Sequence, residues 1–402
     1  MKIGILTYHW VANFGAQMQT FASVQRLKAM GFEPVVLNWV PADAEKRYDS
    51  QIAPGQLEQH RLFAERHFSL SPLCRTLSEV HRIAREMDLK AILVGSDSLF
   101  NLVKPRFNWK RFCKRYPTSD HRFPNPFWMP CGDDMDIPHA ALSVSSQNSD
   151  YPSFRKQKPQ IGQALKRFRS ITVRDQWTSN LVHYFTDGAL TPPVTPDPVF
   201  SMDSDAPCFP SKAELSRKFG LPDHYILLSF FGGTRSHLPE AWQREFVALA
   251  HAHGRACVEF PRAQGCQRLS TALRIPLPLS PLEWYSLIRH ADGYVGMLMH
   301  PLIVALRNAV PCFSFDHYGR AKWGGLATER SSSKIYLLLH ELGLAHLHCS
   351  VSDIFGRPSA ASVVKALQDF DVPAVKRKME ARAELCRKNY ADALLACGML
   401  LG

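Results

Sequence analysis

Apolar and polar positions along the chain predict strands and helices in alternation. Lys2 to Thr7 forms an apolar run of strand length, and Gln17 to Met30 repeats apolar residues at helical spacing up to Gly31. Pro34 to Trp39 is again strand-like. A strand, a helix and a second strand in this order predict a βαβ unit and therefore a parallel sheet.

Three later apolar runs in the first half of the chain each end in small or polar residues. In open α/β sheets, ligands bind at the carboxyl ends of the strands, so these turns are where we expect the chemistry. The runs and their turns are Ala91 to Val94 before Gly95-Ser96-Asp97, Ala140 to Val144 before Ser145-Ser146, and Ile171 to Val173 before Arg174-Asp175.

A proline-rich segment between Asp187 and Pro210 separates this series from a second one. The second series starts with the strand candidate Tyr225 to Phe231, which opens into Gly232-Gly233-Thr234, and continues with alternating helices and strands. We therefore predict an α/β fold of two domains with a cleft between them. The predicted domains are residues 1–200, with an insertion near 103–138, and residues 201–402, which end in a helical tail from Val372 to Leu401.

Length and composition fit this organisation. The chain of 402 residues exceeds one ordinary domain, and 46% hydrophobic with 21% charged residues is typical of a folded protein. The ten cysteines include no C-x-x-C pair, which argues against a zinc site and against a disulfide framework in a chain this large. The first apolar run meets a polar loop at once, and no later run is long enough to span a bilayer, so we expect a cytoplasmic protein.

The chain is strongly basic, with 48 Lys and Arg against 36 Asp and Glu. This charge favours anionic partners such as phosphorylated substrates, acidic glycans or the charged face of a membrane, although a generally solvated basic surface explains it too. The cations are spread along the chain without a helix-turn-helix, zinc-finger or RNA-binding signature, so we expect no nucleic-acid partner. From Lys104 to Tyr116, cations alternate with aromatic residues, which suits sugar rings and phosphate or an ordinary basic surface insertion.

Three of the predicted strand ends carry side chains suited to chemistry. Asn13, in the loop before the first helix, is placed to cap that helix, whose N-terminus is either a ready anion site or a plain capped turn. Asp97 can act as a base or bind a substrate hydroxyl, or simply cap a turn. The guanidinium of Arg174 suits a carboxylate or phosphate, although its neighbour Asp175 can neutralise it instead.

His300 is the candidate residue of the second series. It follows the predicted strand Gly293 to Gly296 and begins an apolar helix that we predict from Pro301. At this place a histidine can bind an anion with help from the helix dipole, or transfer a proton. A lone histidine is also often purely structural.

Together these segments resemble the polysaccharide pyruvyltransferase family from the first strand to roughly Gly325. No single segment carries the resemblance; their order and spacing do. The matching segments are Gly4 to Tyr8 with Asn13-Phe14-Gly15-Ala16, Val94 to Asn101, Ser143-Val144-Ser145, Val173-Arg174-Asp175, Asp197-Pro198, Leu279 to Glu283, and Val295 to His300 with Val310-Pro311.

The resemblance implies a GT-B-like pair of Rossmann-like domains, the first on the acceptor side and the second on the donor side. It implies that phosphoenolpyruvate, as donor substrate, gives a pyruvate ketal on two hydroxyls of one sugar in a polysaccharide or its lipid-linked precursor, without metal or further cofactor. It also implies catalytic roles for Asp97 and His300. Substrate binding would fall to Asn13, Gly15, Ser145 and Arg174.

One position departs from the family pattern. Many members carry Arg-x-His where this chain has Leu298-Met299-His300, so an expected anion-binding guanidinium is absent. Either a nearby cation such as Arg320, Lys322 or Arg235 supplies the charge, or the donor differs, or pyruvyl transfer has been lost.

Two alternatives to pyruvyl transfer therefore stay open. The first is a GT-B-like glycosyltransferase that uses a nucleotide sugar, with the nucleotide near Gly232-Gly233 and Ser280. The second is a non-catalytic glycan-binding or scaffolding relative, which the missing arginine suggests. For a lipid-linked acceptor we expect the protein at the inner face of the membrane.

Overall fold

The computed structural model describes residues 1–108, 112–129, 136–230, 238–265, 273–316, 320–322, 327–329, 333–351 and 356–400. The predicted Gly232-Gly233-Thr234 turn and Arg235 lie outside these ranges. Within them, no helix is both long enough and apolar enough to cross a membrane.

The described strands form two parallel sheets and two short antiparallel pairs. In chain order they are β1 (Lys2–Leu6), β2 (Glu33–Val36), β3 (Ala91–Asp97), β4 (Arg106–Asn108), β5 (Cys113–Arg115), β6 (His139–Val144), β7 (Ser170–Val173), β8 (Tyr225–Ser229), β9 (Ala256–Glu259), β10 (Leu273–Arg274), β11 (Gly293–Gly296), β12 (Cys312–Asp316), β13 (Arg320–Lys322), β14 (Ala327–Glu329) and β15 (His348–Ser350). The first parallel sheet has the order β2-β1-β3-β6-β7 and the second β10-β9-β8-β11-β12-β15, while β4 pairs with β5 and β13 with β14.

Helices connect the parallel strands, as the crossover between parallel neighbours requires. The described α-helices are α1 (Phe14–Ala29), α2 (Ala42–Asp49), α3 (Gln56–His67), α4 (Leu77–Glu86), α5 (Lys158–Lys166), α6 (Gln176–Phe185), α7 (Lys212–Phe219), α8 (Glu240–Ala252), α9 (Pro281–Arg289), α10 (Met299–Arg307), α11 (Lys334–Glu341), α12 (Ala360–Gln368) and α13 (Val372–Ala396).

Local sequence explains where these elements lie. Strands β3 and β8 are buried at every position, because helices cover both faces of a parallel sheet and select continuous apolar runs. Helix α9 begins with a capping box, in which Ser280 and Glu283 satisfy each other's backbone N–H groups, and carries Pro281 in its first turn.

Both sheets reverse their strand order beside a candidate residue. In the first sheet the chain runs from β1 outward to β2 and then returns to the other side at β3, whose last residue is Asp97. In the second sheet it runs from β8 through β9 to β10 and returns at β11, which leads to His300. Such reversal points open a crevice at the carboxyl ends of the strands, where ligands of α/β proteins bind.

The long helix α13 returns from the second sheet to pack against the first. Its residue Cys386 donates to the Asp197 carbonyl at 3.3 Å, and the hydroxyl of Tyr390 lies 2.7 Å from that of Ser23. Apolar side chains of α1, α9 and α13 belong to one continuous buried core that also includes β8 and β11. The two sheets are therefore joined by packed side chains as well as by the chain itself.

Candidate functional site

A cavity of about 400 Å³ lies between the two sheets, and residues at the carboxyl ends of strands from both sheets line it. Aromatic packing closes one side, where Phe14 stacks on Trp284 with ring centroids 5.3 Å apart. Five of the eight site residues predicted from the sequence line this cavity: Asn13, Gly15, Asp97, Arg174 and His300.

Arg174 is held between two carboxylates at the cavity wall. Its Nη1 donates to Asp197 Oδ2 at 2.9 Å, and its Nη2 lies 3.8 Å from Asp97 Oδ1. The side chains of Arg174 and Asp197 are only 6% and 1% exposed. Burial lowers the pKa of Arg174, but the charges of Asp197 and Asp97 outweigh it and raise this pKa above its usual value, so the guanidinium stays charged. Asp175, the alternative partner, instead accepts from Thr178 N and caps α6.

Asp97 has an unusual backbone conformation, with φ at +106°, which side chains rarely adopt. Strain of this kind persists where the surrounding structure fixes it, and it clusters at functional sites. Asp97 Oδ1 accepts hydrogen bonds from Ser98 N at 2.7 Å and from Ser98 Oγ at 3.1 Å. Within the described residues the hydrogen bonds to this carboxylate all go to Oδ1, which leaves Oδ2 for a ligand.

Two helices begin at the cavity, and their N-termini differ. At α1 the side chain of Asn13 accepts from Gly15 N at 3.0 Å and from Ala16 N at 3.4 Å, so these amides are already paired. At α10, which follows Leu298, no side chain of the described residues caps the first turn. Its leading N–H groups and the positive end of its dipole are therefore available to an anion.

His300, in the first turn of α10, packs against the start of α1. Burial is the main cause that lowers its pKa, so the ring is neutral near pH 7. Its Nε2 is buried and has no hydrogen-bond partner among the described residues. Buried polar groups are nearly always paired, so this nitrogen is an open position for a ligand.

His300 can pack this closely against the start of α1 because residue 15 is a glycine. We therefore expect Gly15→Ala to destabilise the protein by about 1–3 kcal/mol. A Cβ atom at this position would lie 2.0 Å from His300 Cγ. Without a clash, Gly→Ala stabilises by roughly 0.4–1 kcal/mol because it restricts the unfolded chain, so the sign of the change reports the clash. Equilibrium urea unfolding measures it. Gly293→Ala is the matched control, since its Cβ would have its nearest contact at an ordinary 3.4 Å. Equal unfolding free energies of the two variants would contradict this packing.

Lys334, which the sequence analysis did not single out, adds a second cation to the cavity. It is the first residue of α11 and lines the same cavity as Arg174 and His300. Burial, with the neighbouring charge of Arg174 as second cause, lowers the pKa of Lys334 to about 8. In the sequence, the cap Ser333 before the apolar run Ile335 to Leu339 indicates this helix. Its place beside the cavity follows only from the tertiary fold.

A buried polar cluster fixes the start of α11. Asp316, at the end of β12, accepts a hydrogen bond from the hydroxyl of Ser333, and its Oδ2 lies 2.9 Å from His348 Nε2. The side chains of Asp316 and His348 are 0% and 1% exposed. This cluster holds Lys334 at the cavity.

The three other predicted residues are placed differently. Ser145 donates its hydroxyl to Asp175 Oδ2 at 2.7 Å and lines a smaller cavity of about 80 Å³, whose wall also includes Arg174 and Lys334. Arg320 and Lys322 are the end residues of β13, and their side chains lie outside the part that the structure describes. Substrate contacts of these three residues stay predictions.

Gln147 also lines the large cavity, although no sequence pattern points to it. Its Nε2 donates to Ser98 Oγ at 2.8 Å, and its backbone N donates to Ser145 Oγ at 3.0 Å. Its φ of +52° is a left-handed value. Gln147 and Ser98 thus extend the polar wall that begins at Asp97.

Comparisons with known proteins agree with this picture. The family model for polysaccharide pyruvyl transferase matches residues 13–318, whereas no curated protein matches the chain. The chain is similar to UDP-GlcNAc 2-epimerase from Methanocaldococcus jannaschii, with 12% identity over 95% of this chain and 99% of that chain and a TM-score of 0.50. The chain is also similar to the glycosyltransferase SnogD from Streptomyces nogalater, with 12% identity over 98% of this chain and 99% of that chain and a TM-score of 0.48. At this identity the epimerase shows the fold alone, and with the two parallel sheets it confirms the predicted GT-B-like α/β architecture.

Proposed function

The chain belongs to the polysaccharide pyruvyl transferase family, and on this basis we propose that it transfers a pyruvyl group from phosphoenolpyruvate to a sugar of a cell-surface polysaccharide or of its lipid-linked precursor. The family predicted from the sequence is thereby confirmed, since the match over residues 13–318 covers most of the resembling segments. Donor, acceptor and ketal formation are the proposed steps.

Two cations and a helix N-terminus that meet at one cavity carry this proposal, with Arg174 already paired to Asp197 and Asp97. Lys334, Arg174 and the uncapped N-terminus of α10 all lie at the cavity of about 400 Å³. Phosphoenolpyruvate is a small substrate with two anionic groups, a phosphate and a carboxylate. Buried cations and helix N-termini bind such groups well, because the fold already holds them in place before the anion binds.

The proposed reaction balances without a metal or a redox partner. The C3 methylene of phosphoenolpyruvate takes up a proton and becomes a methyl group. Two hydroxyl oxygens of one sugar form bonds to C2, and the bond between C2 and the phosphate oxygen breaks. Of the two hydroxyl protons, one balances the proton on C3 and the other leaves with the phosphate.

Two side chains suit the proton transfers. We assign Asp97 as the base that accepts a proton from the attacking hydroxyl, and His300 as the group that delivers the proton to C3. The neutral His300 ring must first become charged. A bound dianion beside it favours the imidazolium and raises its pKa, so donor binding prepares the acid.

Lys334 can also replace the arginine that the family pattern has at the position of Leu298. Leu298, at the position where many family members carry arginine, lines the cavity that Lys334 lines as well. We assign to Lys334 the positive charge that is missing at Leu298. On this assignment pyruvyl transfer is retained.

Titration calorimetry and an activity assay test the function together. We expect phosphoenolpyruvate to bind and UDP not to bind. With candidate glycosides, we expect phosphate release accompanied by a ketal methyl signal in the sugar NMR spectrum. UDP binding without phosphoenolpyruvate binding would favour the nucleotide-sugar transferase. Phosphate release without a ketal would contradict the proposed acceptor chemistry, and no binding of either ligand would favour a non-catalytic relative.

The affinity for phosphoenolpyruvate is expected to fall about tenfold between pH 7 and pH 9. Lys334, with its pKa at about 8, is mostly charged at pH 7 and mostly neutral at pH 9, and the anion binds the charged form. The substrate phosphate, with its second pKa near 6, does not titrate in this interval. Proton uptake by His300 on donor binding would make the fall in affinity steeper. Calorimetry across the interval measures the effect.

Charge-conserving and charge-removing variants identify the titrating group. Lys334→Arg keeps the charge up to pH 9, so its affinity should depend less on pH than that of the wild type. Lys334→Gln should bind weakly at every pH in the interval. Lys365→Gln, at a side chain that is 75% exposed, is the control and should behave like the wild type. If Lys334→Arg keeps the wild-type pH dependence, another group causes it.

A further inference from the structure

The insertion after β3 carries a hairpin with an unusual surface. Strands β4 and β5 pair only with each other among the described strands, with Phe107 opposite Lys114. The rings of Phe107 and Phe112 lie 5.6 Å apart, edge to face. Phe112 is 80% exposed, Tyr116 60% and Phe107 40%. This hairpin therefore presents aromatic side chains to the solvent rather than to a core.

The same segment is strongly basic. Residues 104–116 include six Lys and Arg and no Asp or Glu. The side chains of Lys114 and Arg115 are exposed next to the aromatic residues. Aromatic rings beside exposed cations are typical of surfaces that enter the headgroup region of a bilayer, where the rings find an apolar layer and the cations meet lipid phosphates.

We propose that this hairpin docks the protein on an anionic lipid bilayer. Phe107, Phe112 and Tyr116 enter the interface, and Lys114 and Arg115 pair with the headgroups. Each cation near such a surface strengthens binding by roughly fivefold, and burial of one exposed phenylalanine by about tenfold or more. An acidic polysaccharide would also pair with the cations and stack its sugar rings on the aromatic faces, and the test below separates it from the bilayer.

The position of the hairpin relates the membrane to the cavity. Strand β3 ends at Asp97 in the cavity wall, and β4 begins nine residues later. That length of chain spans at most about 30 Å, so the start of the hairpin lies within this distance of Asp97 and a bilayer at the hairpin lies on the same side of the molecule as this end of β3. This step rests on the proposed function: a lipid-linked acceptor in that bilayer would present its sugar near Asp97.

Sedimentation with vesicles tests the docking, whether or not the protein transfers pyruvate. We use phosphatidylethanolamine vesicles with 30% phosphatidylglycerol and, for comparison, pure phosphatidylcholine. The wild type should bind the anionic vesicles and release them in high salt, because salt screens the headgroup contacts. Phe112→Ser should weaken binding by about tenfold, and Lys114→Gln/Arg115→Gln by roughly 25-fold.

A matched triple variant separates the hairpin from general charge. Leu385→Ser/Lys376→Gln/Lys388→Gln removes one exposed apolar side chain and two exposed cations from α13, the same change as in Phe112→Ser/Lys114→Gln/Arg115→Gln. Only the hairpin triple should lose vesicle binding, while its thermal midpoint and its phosphoenolpyruvate affinity stay at the wild-type values. Equal losses in both triples, equal binding to phosphatidylcholine, or no vesicle binding by the wild type would each overturn the docking. So would hairpin-dependent binding of soluble polygalacturonate without binding to vesicles, which would make a polysaccharide the partner.

Discussion

Arg174→Met is expected to lower the free energy of unfolding by about 3–5 kcal/mol, a large part of the roughly 5–15 kcal/mol that stabilises a typical domain. The variant leaves Asp197, 1% exposed, and Asp97 without their shared cation. The carboxylate of Asp197 has lost its hydration, and the hydrogen bonds that it still accepts from Gln19 Nε2 and Val199 N replace the lost countercharge only in part. Urea unfolding followed by circular dichroism measures the loss.

Two further variants separate the stability of the ion pair from its contribution to binding. Arg174→Met/Asp197→Asn removes the more buried of the two uncompensated charges, and the remaining amide still accepts from Val199 N, so a large part of the lost stability should return. Phosphoenolpyruvate affinity should stay at least tenfold reduced, because the guanidinium is absent in both variants. Arg82→Met breaks an exposed ion pair with Glu86 and should change stability by less than about 1 kcal/mol. A similarly small effect of Arg174→Met would show that the buried pair does not stabilise the fold.

The strands of both sheets could be predicted because a strand that is buried on both faces is a continuous run of apolar residues. Gly293–Gly296 is a strand as predicted, and the run from Tyr225 forms β8 but ends at Ser229 rather than Phe231. Helix boundaries were less accurate: α10 begins at Met299, ahead of the predicted Pro301. The shift matters, because it places His300 inside the first turn, where the helix dipole acts on it. Caps and turns set such boundaries, and Leu298 provides no side-chain signal.

The partners of the site residues could not be predicted. The sequence offered Asp175 as the neighbour of Arg174, since the two are adjacent, yet the paired carboxylate is Asp197, 23 positions away. The place of Lys334 at the cavity could not be predicted from the sequence for a similar reason. Ser333 in the sequence indicates where its helix begins. However, the helix is brought to the cavity by hydrogen bonds from Ser333 and His348 to Asp316, and these join three separate segments of the chain. Local patterns locate elements; which side chains meet depends on how the elements pack.

Asp97 is the site residue for which local and tertiary signals agree. The sequence placed it at the end of a buried strand, and the structure adds its strained backbone and its position at the cavity. Ser98 holds Oδ1 through two hydrogen bonds, which orients the carboxylate. Fixed orientation at a strained position is a feature of catalytic groups, since the reacting atoms must meet in a defined geometry.

We therefore expect Asp97→Asn to lower kcat for ketal formation by roughly 100- to 10,000-fold, the range over which a positioned base accelerates proton transfer. Asparagine tolerates positive φ, and its amide oxygen can still accept from Ser98, while Arg174 keeps its bond to Asp197. The fold and the phosphoenolpyruvate affinity should thus change little, which separates the loss of the base from a loss of donor binding. Phosphate release and the ketal NMR signal, measured at saturating donor, give kcat. Ser98→Ala removes the orienting hydroxyl, which also accepts from Gln147 Nε2, and should cost less than about tenfold. If Asp97→Asn keeps more than a tenth of the wild-type kcat, the proton is accepted elsewhere, and Asp97 only positions Arg174.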